Sequence, residues 1–222
     1  MTAAPDSRVK LPTSLKMAAM LEIREMIFSG ELRPGDKIDQ DDVAERLGVS
    51  RLPVREAVIA LDVEGVVELA PRRGAFVAAL SRDDVRDHYG ILGAVSGLAA
   101  ARAAARMTDE ERTRMLDAVE RMDCAEDAAA RERLNFQFHR VINLASGSRR
   151  LMSEIKALGA FAPIGFYESH DHWHDTANRD HEAMAAAVSS GDEAGARSTT
   201  EEHFVRAGDR AVAMLSERGF WR

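Results

Sequence analysis

Two groups of side chains in this sequence have the types and spacing to do chemistry. The first is Ser50, Arg51 and Arg55, a hydroxyl and two guanidinium groups within six residues. At helical spacing Arg51 and Arg55 lie one turn apart near the leading end of a helix that begins at Ser50. A guanidinium can bridge two acceptors on guanine, worth on the order of 1–3 kcal/mol of discrimination, or can hold a phosphate. The second group is His139, His181 and His203, each on a different expected helix. Asn135 precedes His139 by four residues and shares its helix face. Imidazoles from separate helices that meet inside a bundle can bind a divalent first-row metal ion of zinc or nickel type. Spacing by itself leaves the ordinary alternative open, that these are surface or hydrogen-bonded core histidines. His170, His172 and His174 alternate in sequence. On a helix that spacing fans the rings apart by about 200° each, which favours a polar loop anchored by Trp173 over a second metal site.

The elements that must position the first group are short and well marked. Val43, Ala44, Leu47, Val49, Val54, Ala57 and Val58 can face one small core, with a tight turn at Gly48 between two helices. That leaves Ser50, Arg51 and Arg55 projecting from the start of the second helix, the layout of a helix-turn-helix that offers these side chains to a DNA major groove. The Ser50 hydroxyl is placed to cap that helix, and Pro53 fits its first turn, where a missing N–H costs nothing. Upstream, Thr13 or Ser14 caps a helix to about Ser29, with Leu15, Leu21, Ile23 and Ile27 on its apolar stripe. Downstream, two β-prone runs around Val66–Leu69 and Ala75–Ala78 flank Pro71-Arg-Arg-Gly74, which predicts a two-stranded hairpin with a basic tip.

From Ser81 onward the pattern is helical throughout. Ser81, Thr108 and Asp192 are cap residues, a further helix starts near Ser148, and Gly147 and Gly191 are breakers. Six antiparallel helices result. The predicted fold is mainly α: an N-terminal winged helix-turn-helix over 13–78 with a small β-hairpin wing, and a C-terminal six-helix bundle over 82–218. Bundles place ligand sites between facing helices.

Composition narrows the functional classes. A net charge of −7 over 222 residues excludes a protein that coats nucleic acid through bulk charge. Residues 1–80 hold eleven Lys and Arg against thirteen Asp and Glu, so DNA binding must come from the local cluster of Arg46, Arg51, Arg55, Arg72 and Arg73. Within it Arg46 reads as a solvated helix residue, and Glu56 as a partner in an intramolecular ion pair. The single cysteine, Cys124, reads as a small buried hydrophobe and fits a reducing cytoplasm. No apolar run suggests a signal peptide or a membrane span. His181-Glu182 begins the metallohydrolase pattern His-Glu-x-x-His, but Ala185 stands where the second His belongs. No Gly-x-Ser-x-Gly elbow or phosphate loop is present. An enzyme is therefore not expected.

Taken together, Leu32-Arg-Pro-Gly35, Ala44-x-x-Leu-Gly-Val-Ser-Arg-x-Pro-Val-Arg-Glu-Ala57, Leu61-x-x-Glu-Gly65 and Arg73-Gly-Ala-Phe-Val77 resemble the GntR family of bacterial winged-helix repressors. Phe138-His139-x-x-Ile142, His181-x-x-Met-x-x-Ala187-x-x-x-Gly-Asp192, Ala196 and His203 are similar to the effector domain, of FCD type, found in the FadR branch of that family, with the helix count of its VanR-like subgroup. The resemblance implies a cytoplasmic homodimer that binds a palindromic double-stranded DNA operator and answers to a small-molecule effector. It places Ser50, Arg51, Pro53 and Arg55 at DNA-contact positions, and Arg73 and Gly74 at a wing tip in the minor groove. Leu52 stands where Thr is usual. It further implies a divalent metal held by Asn135, His139, His181 and His203, with affinity weakened because Asn135 replaces the family's Asp. Leu92 and Ser96 occupy positions where the family carries an Arg and a Glu facing the effector. That loss, with Gly93 and Gly97 nearby, suggests a roomier and less cationic pocket, lined also by Phe138 and by Phe161 or Tyr167. The alternative for the glycines is close helix packing. A metal ion acting as the signal itself is the other regulatory reading.

Overall fold

A computed structural model describes residues 14–125, 127–161 and 173–221, with only the backbone of residues 173–176. It divides the chain into two compact units, residues 1–80 with 218–222, and residues 81–217.

In the first unit, α1 (Leu15–Phe28) starts at Ser14, whose Oγ accepts from the Met17 amide at 3.2 Å. It buries Ala19, Ile23 and Ile27. α2 (Gln40–Leu47) is capped by the Asp39 carboxylate and ends at Gly48, whose φ of 63° gives the left-handed turn into the next helix. α3 (Arg51–Val63) turns Val54, Ala57, Val58 and Leu61 into the core. Arg24 is fully buried on α1 and donates to the Glu64 carboxylate at the end of α3, so a charge pair ties the two helices together.

The wing differs from the expected two-stranded hairpin. β1 (Lys37–Ile38), β2 (Val67–Ala70) and β3 (Gly74–Val77) form one antiparallel sheet in the order β1-β3-β2. Lys37 pairs with Phe76, and Ile38 with Ala75. A two-residue strand carries too little alternation to be seen in sequence. Ser50 precedes α3 in an extended conformation, but its hydroxyl makes no capping bond, contrary to expectation. The residues after the last helix also belong to this unit. The Arg218 guanidinium donates to the Phe28 carbonyl at 2.7 Å, and the Trp221 indole donates to the Leu80 carbonyl at 2.7 Å.

The second unit contains α4 (Arg82–Arg106), α5 (Asp109–Asp123), α6 (Ala128–Ala145), α7 (Arg149–Leu158), α8 (Trp173–Ser190) and α9 (Glu193–Glu217). Ser81 with Asp84 and Thr108 with Glu111 close reciprocal capping boxes on α4 and α5. Asp127 caps α6, Ser148 caps α7, and the Asp192 carboxylate accepts from the Gly195 amide. The core is built from Ala100, Met115, Phe138, Ile142, Met184 and Val188. Cys124 is exposed at the end of α5, not buried.

α4 and α9 run antiparallel at close range, and glycine makes this possible. A Cβ on Gly97 would meet the Arg197 carbonyl at 3.0 Å, one on Gly93 would meet Phe204 Cβ at 3.0 Å, and one on Gly208 would meet Tyr89 Cβ at 2.9 Å. Gly93 and Gly97 therefore bring backbones together and do not open a pocket. That corrects the roomier-pocket expectation in favour of its packing alternative.

Gly97→Leu recovers about 1 kcal/mol of helix propensity. It also forces a side chain against the α9 backbone, for which overpacking costs of about 1–3 kcal/mol are typical. We expect a net fall in the thermal midpoint together with lost protection of α4 and α9 amides in hydrogen exchange. A raised midpoint would contradict the packing assignment.

Candidate functional site

The candidate DNA-facing residues lie at the start of α3 and the turn of the wing. Arg51 is 77% exposed and its guanidinium is paired with the Asp41 carboxylate, itself 57% exposed. An exposed pair of this kind is worth about 0–1 kcal/mol, so a phosphate or a guanine can displace Asp41 at little cost. Arg55 is exposed on the next turn and has no ion pair among the described residues. Ser50 is exposed beside Arg51.

Three expectations for this surface change. Pro53 is buried on the core side of α3, so it starts the helix and presents no surface for contact. Glu56 is exposed and makes no ion pair among the described residues. Arg46 is bound to Glu31, to Asp42 at 2.8 Å and to Glu22 at 3.7 Å, which makes it a bracket within the unit.

At the wing tip Arg72 adopts a left-handed φ of 63° and Gly74 a φ of 111°. The Arg73 guanidinium lies over the Phe76 ring, 5.4 Å from its centroid, which steadies the cation. Lys37 is a member of this tip that its sequence context does not mark. β1 pairing brings its side chain within 3.3 Å of where a Gly74 Cβ would stand, adding a third cation beside Arg72 and Arg73.

The histidine cluster is real in geometry. α6, α8 and α9 bring His139, His181 and His203 together so that one ring nitrogen from each lies within 4.8 Å of the others. Ring centroids are 5.2 Å apart for His139–His181 and His139–His203, and 4.8 Å apart for His181–His203. Phe138 and Phe204 pack against the cluster. Both nitrogens of His181 are buried without a hydrogen-bond partner, a costly state for a polar ring. Burial first, and the neighbouring His203 second, hold His139 down to about 3. His181 is lowered well below its usual value by burial, with His203 and His139 adding to it. Two imidazoles held neutral beside a third, with both His181 nitrogens unspent, are a donor set that fits a divalent metal.

Two further residues hold the cluster in place. His203 Nδ1 lies 3.3 Å from Asp180 Oδ2, which leaves its Nε2 for the cluster. Arg206 grips both oxygens of Asp180, at 2.9 and 2.8 Å. Burial pushes the Asp180 carboxyl up, but the His203 and Arg206 hydrogen bonds outweigh it and keep it ionised below its usual range. Asp180 adjoins His181, and Arg206 follows His203 by three residues, so helical spacing is the signal in sequence for both. Asn135 is half-buried one turn before His139 on α6.

Of the expected effector-facing positions, Leu92, Ser96 and Phe138 are all buried, and the Ser96 hydroxyl has no partner. Phe161 is buried and stacks on His88 at 4.0 Å. Tyr167, His170 and His172 lie outside the described residues, as do the side chains of Trp173 and His174.

Comparison with known proteins accounts for both halves of this arrangement. Residues 15–77 match the gntR family of bacterial regulatory proteins, and residues 87–206 match the FCD domain. An uncharacterized HTH-type transcriptional regulator of Mycobacterium tuberculosis is 30% identical over 174 residues, which covers 78% of this chain and 71% of the relative. The chain belongs to the GntR family.

It is thus a DNA-binding transcriptional regulator with an FCD effector domain, and not an enzyme. The YdhC regulator of Bacillus subtilis is 27% identical over 206 residues, 90% of this GntR chain and 92% of its own. Among solved structures, Escherichia coli McbR/YncC shares the fold with a TM-score of 0.67 at 20% identity, covering 94% of this chain and 100% of that one. No helix among the described residues is long and apolar enough to cross a membrane.

The depressed histidines set a pH dependence for the metal-stripped protein. Folded His139 and His181 stay neutral while the unfolded chain protonates near 6.5, so their contribution is complete above 6.5 and is lost as pH falls. Each can contribute a slope of up to about 1.4 kcal/mol per pH unit. The capping carboxylates Asp84 and Glu111, already lowered, titrate further down. Denaturation of stripped protein should therefore show stability falling between pH 6.5 and 5, with a shallower slope in His181→Phe. A flat profile over that window would contradict the burial of neutral rings.

Proposed function

We propose that this regulator acts as a homodimeric, cytoplasmic repressor that binds a palindromic operator and is controlled by a small-molecule effector in its helical domain. Ser50, Arg51 and Arg55 read the major groove, and Arg73 and Gly74, with Lys37 beside them, approach the minor groove. The support is the exposure of the Ser50, Arg51, Arg55, Arg73 and Lys37 side chains at one helix start and around one wing turn, together with the family assignment.

The observation that carries the sensing half is the triad of His139, His181 and His203, with both His181 nitrogens buried and unspent. These three hold a divalent ion of zinc or nickel type, and the amide oxygen of Asn135 is the fourth protein donor. An ion held there would supply a fixed positive charge that attracts an anionic or electron-donating effector. Asp180 and Arg206 keep His203 aimed at that point. Leu92, Ser96 and Phe138 form the surrounding wall, and the unpartnered Ser96 hydroxyl is its polar element. Effector binding acts by changing the register of two reader heads on half-sites one helical turn apart, a small change with a large effect on specific affinity.

Selection of genomic fragments by the purified protein, followed by footprinting, tests this reading. It predicts one enriched site with dyad symmetry. On that site Arg55→Ala should weaken specific binding by about 1–3 kcal/mol, roughly five- to 160-fold, with a smaller effect on random DNA. Asp41→Asn should tighten binding a few-fold at low salt, because it releases Arg51 and removes a negative charge facing the phosphates. Enrichment without symmetry, or an Arg55→Ala protein that binds its site like wild type, would overturn the reading.

A further inference from the structure

α4 buries one side within the bundle and turns the other to solvent. On that outer side stand Asp87, Ile91, Ala94, Leu98 and Arg102, all exposed and spaced four, three, four and four residues apart. That spacing lines them up as one stripe. Ile91 is 55% exposed and Leu98 42%, in a helix whose opposite face is fully committed to the core. Beside the stripe, Val205 of α9 is 54% exposed and shares a shallow apolar groove with Ile91 and Ala94. The two ends of the stripe carry opposite charges, and neither Asp87 nor Arg102 has an ion pair among the described residues.

The arrangement has a symmetry of its own. Ile91 and Leu98, and likewise Asp87 and Arg102, are equidistant from the point between Ala94 and Val95. We propose that this face of α4 is the contact between two copies of the chain, packed antiparallel about a two-fold axis next to Ala94. Ile91 of one copy then meets Leu98 of the other, Asp87 meets Arg102, and each contact occurs twice, as an isologous interface requires. A parallel pairing would set Asp87 against Asp87. A partner of another kind would have to reproduce both the apolar order and the reversed charge order, which a second copy supplies by itself. Ala94 at the axis keeps the helices at roughly 8–10 Å separation. From Asp87 to Arg102 the stripe is about 22 Å long, and the groove beside it gives the facing Leu98 and its neighbours somewhere to seat. The proposal rests on the dimeric reading above and names the surface that serves it.

The test is a charge swap on the full chain, followed by sedimentation velocity across a concentration series at low ionic strength, with circular dichroism as the check on folding. Asp87→Arg places two arginines together and Arg102→Asp two aspartates, so each single variant should raise the dimer dissociation constant by about tenfold or more. Combining them restores opposite charges and should bring the constant back to within about threefold of wild type. A wild-type protein that is monomeric throughout overturns the dimeric reading and this interface with it. A dimeric wild type whose single variants associate unchanged leaves the dimer standing and overturns the α4 interface. Single variants that weaken without recovery in the double overturn the antiparallel register.

Discussion

Gly93, Gly97 and Gly208 let α4 and α9 approach until the Phe204 Cβ, the Arg197 carbonyl and the Tyr89 Cβ lie 2.9 to 3.0 Å from where a side chain would begin. Much of the bundle follows from that approach. α9 carries His203, so fixing α9 on α4 fixes one corner of the histidine triad. α6 and α8 then pack through Phe138, Ile142, Met184 and Val188 and deliver His139 and His181 to the same point. The glycine face also decides what the rest of α4 can do. One side is consumed by α9 and the core, which leaves Ile91, Ala94 and Leu98 on the outer side without cover.

The reader unit is held by different physics. Its core is small, and two charged brackets supplement it: the buried Arg24–Glu64 pair between α1 and α3, and the Arg46 cluster with Glu22, Glu31 and Asp42. Arg51 is also paired, but with an exposed Asp41, so it is held loosely in a way Arg24 is not. The residues just after α9 belong to this unit, through Arg218 on the Phe28 carbonyl and Trp221 on the Leu80 carbonyl. The chain thus passes between the units twice, before Ser81 and after Glu217. The helix bearing His203 leads directly into the second passage.

Much of this is legible in the sequence, for reasons that differ by element. The caps Ser14, Ser81, Thr108 and Asp192 and the breakers Gly147 and Gly191 mark the helix ends, which matters most for α1 and α4, where apolar periodicity is weak. The three histidines sit on separate helices at positions the bundle brings together, and the motifs around Arg51 and Arg55 are dense enough to mark a helix-turn-helix. Other features depend on contacts distant in sequence. β1 is two residues long and exists only because β3 offers it an edge. Pro53 looks like a surface residue from its motif, but the rotation of α3 buries it. Gly93 and Gly97 carry no label to distinguish a pocket from a close approach; the backbone of α9 decides it. Lys37 and the segment Arg218–Trp221 acquire their places only through tertiary pairing. Cys124 is exposed because α5 ends there, a one-residue matter that periodicity does not resolve.

The sensing half of the protein depends on the triad of His139, His181 and His203 as a metal-binding centre, with His139 and His181 held neutral by desolvation. Calorimetric titration of zinc into chelator-stripped full-length protein, repeated in buffers of different ionisation enthalpy, tests it most directly. Because burial already holds His139 and His181 unprotonated at neutral pH, one ion per chain should bind with little proton release and a nearly buffer-independent enthalpy. The same titration on His181→Ala should show the uptake lost. Absence of saturable binding, or binding that survives removal of His181, would contradict the central claim.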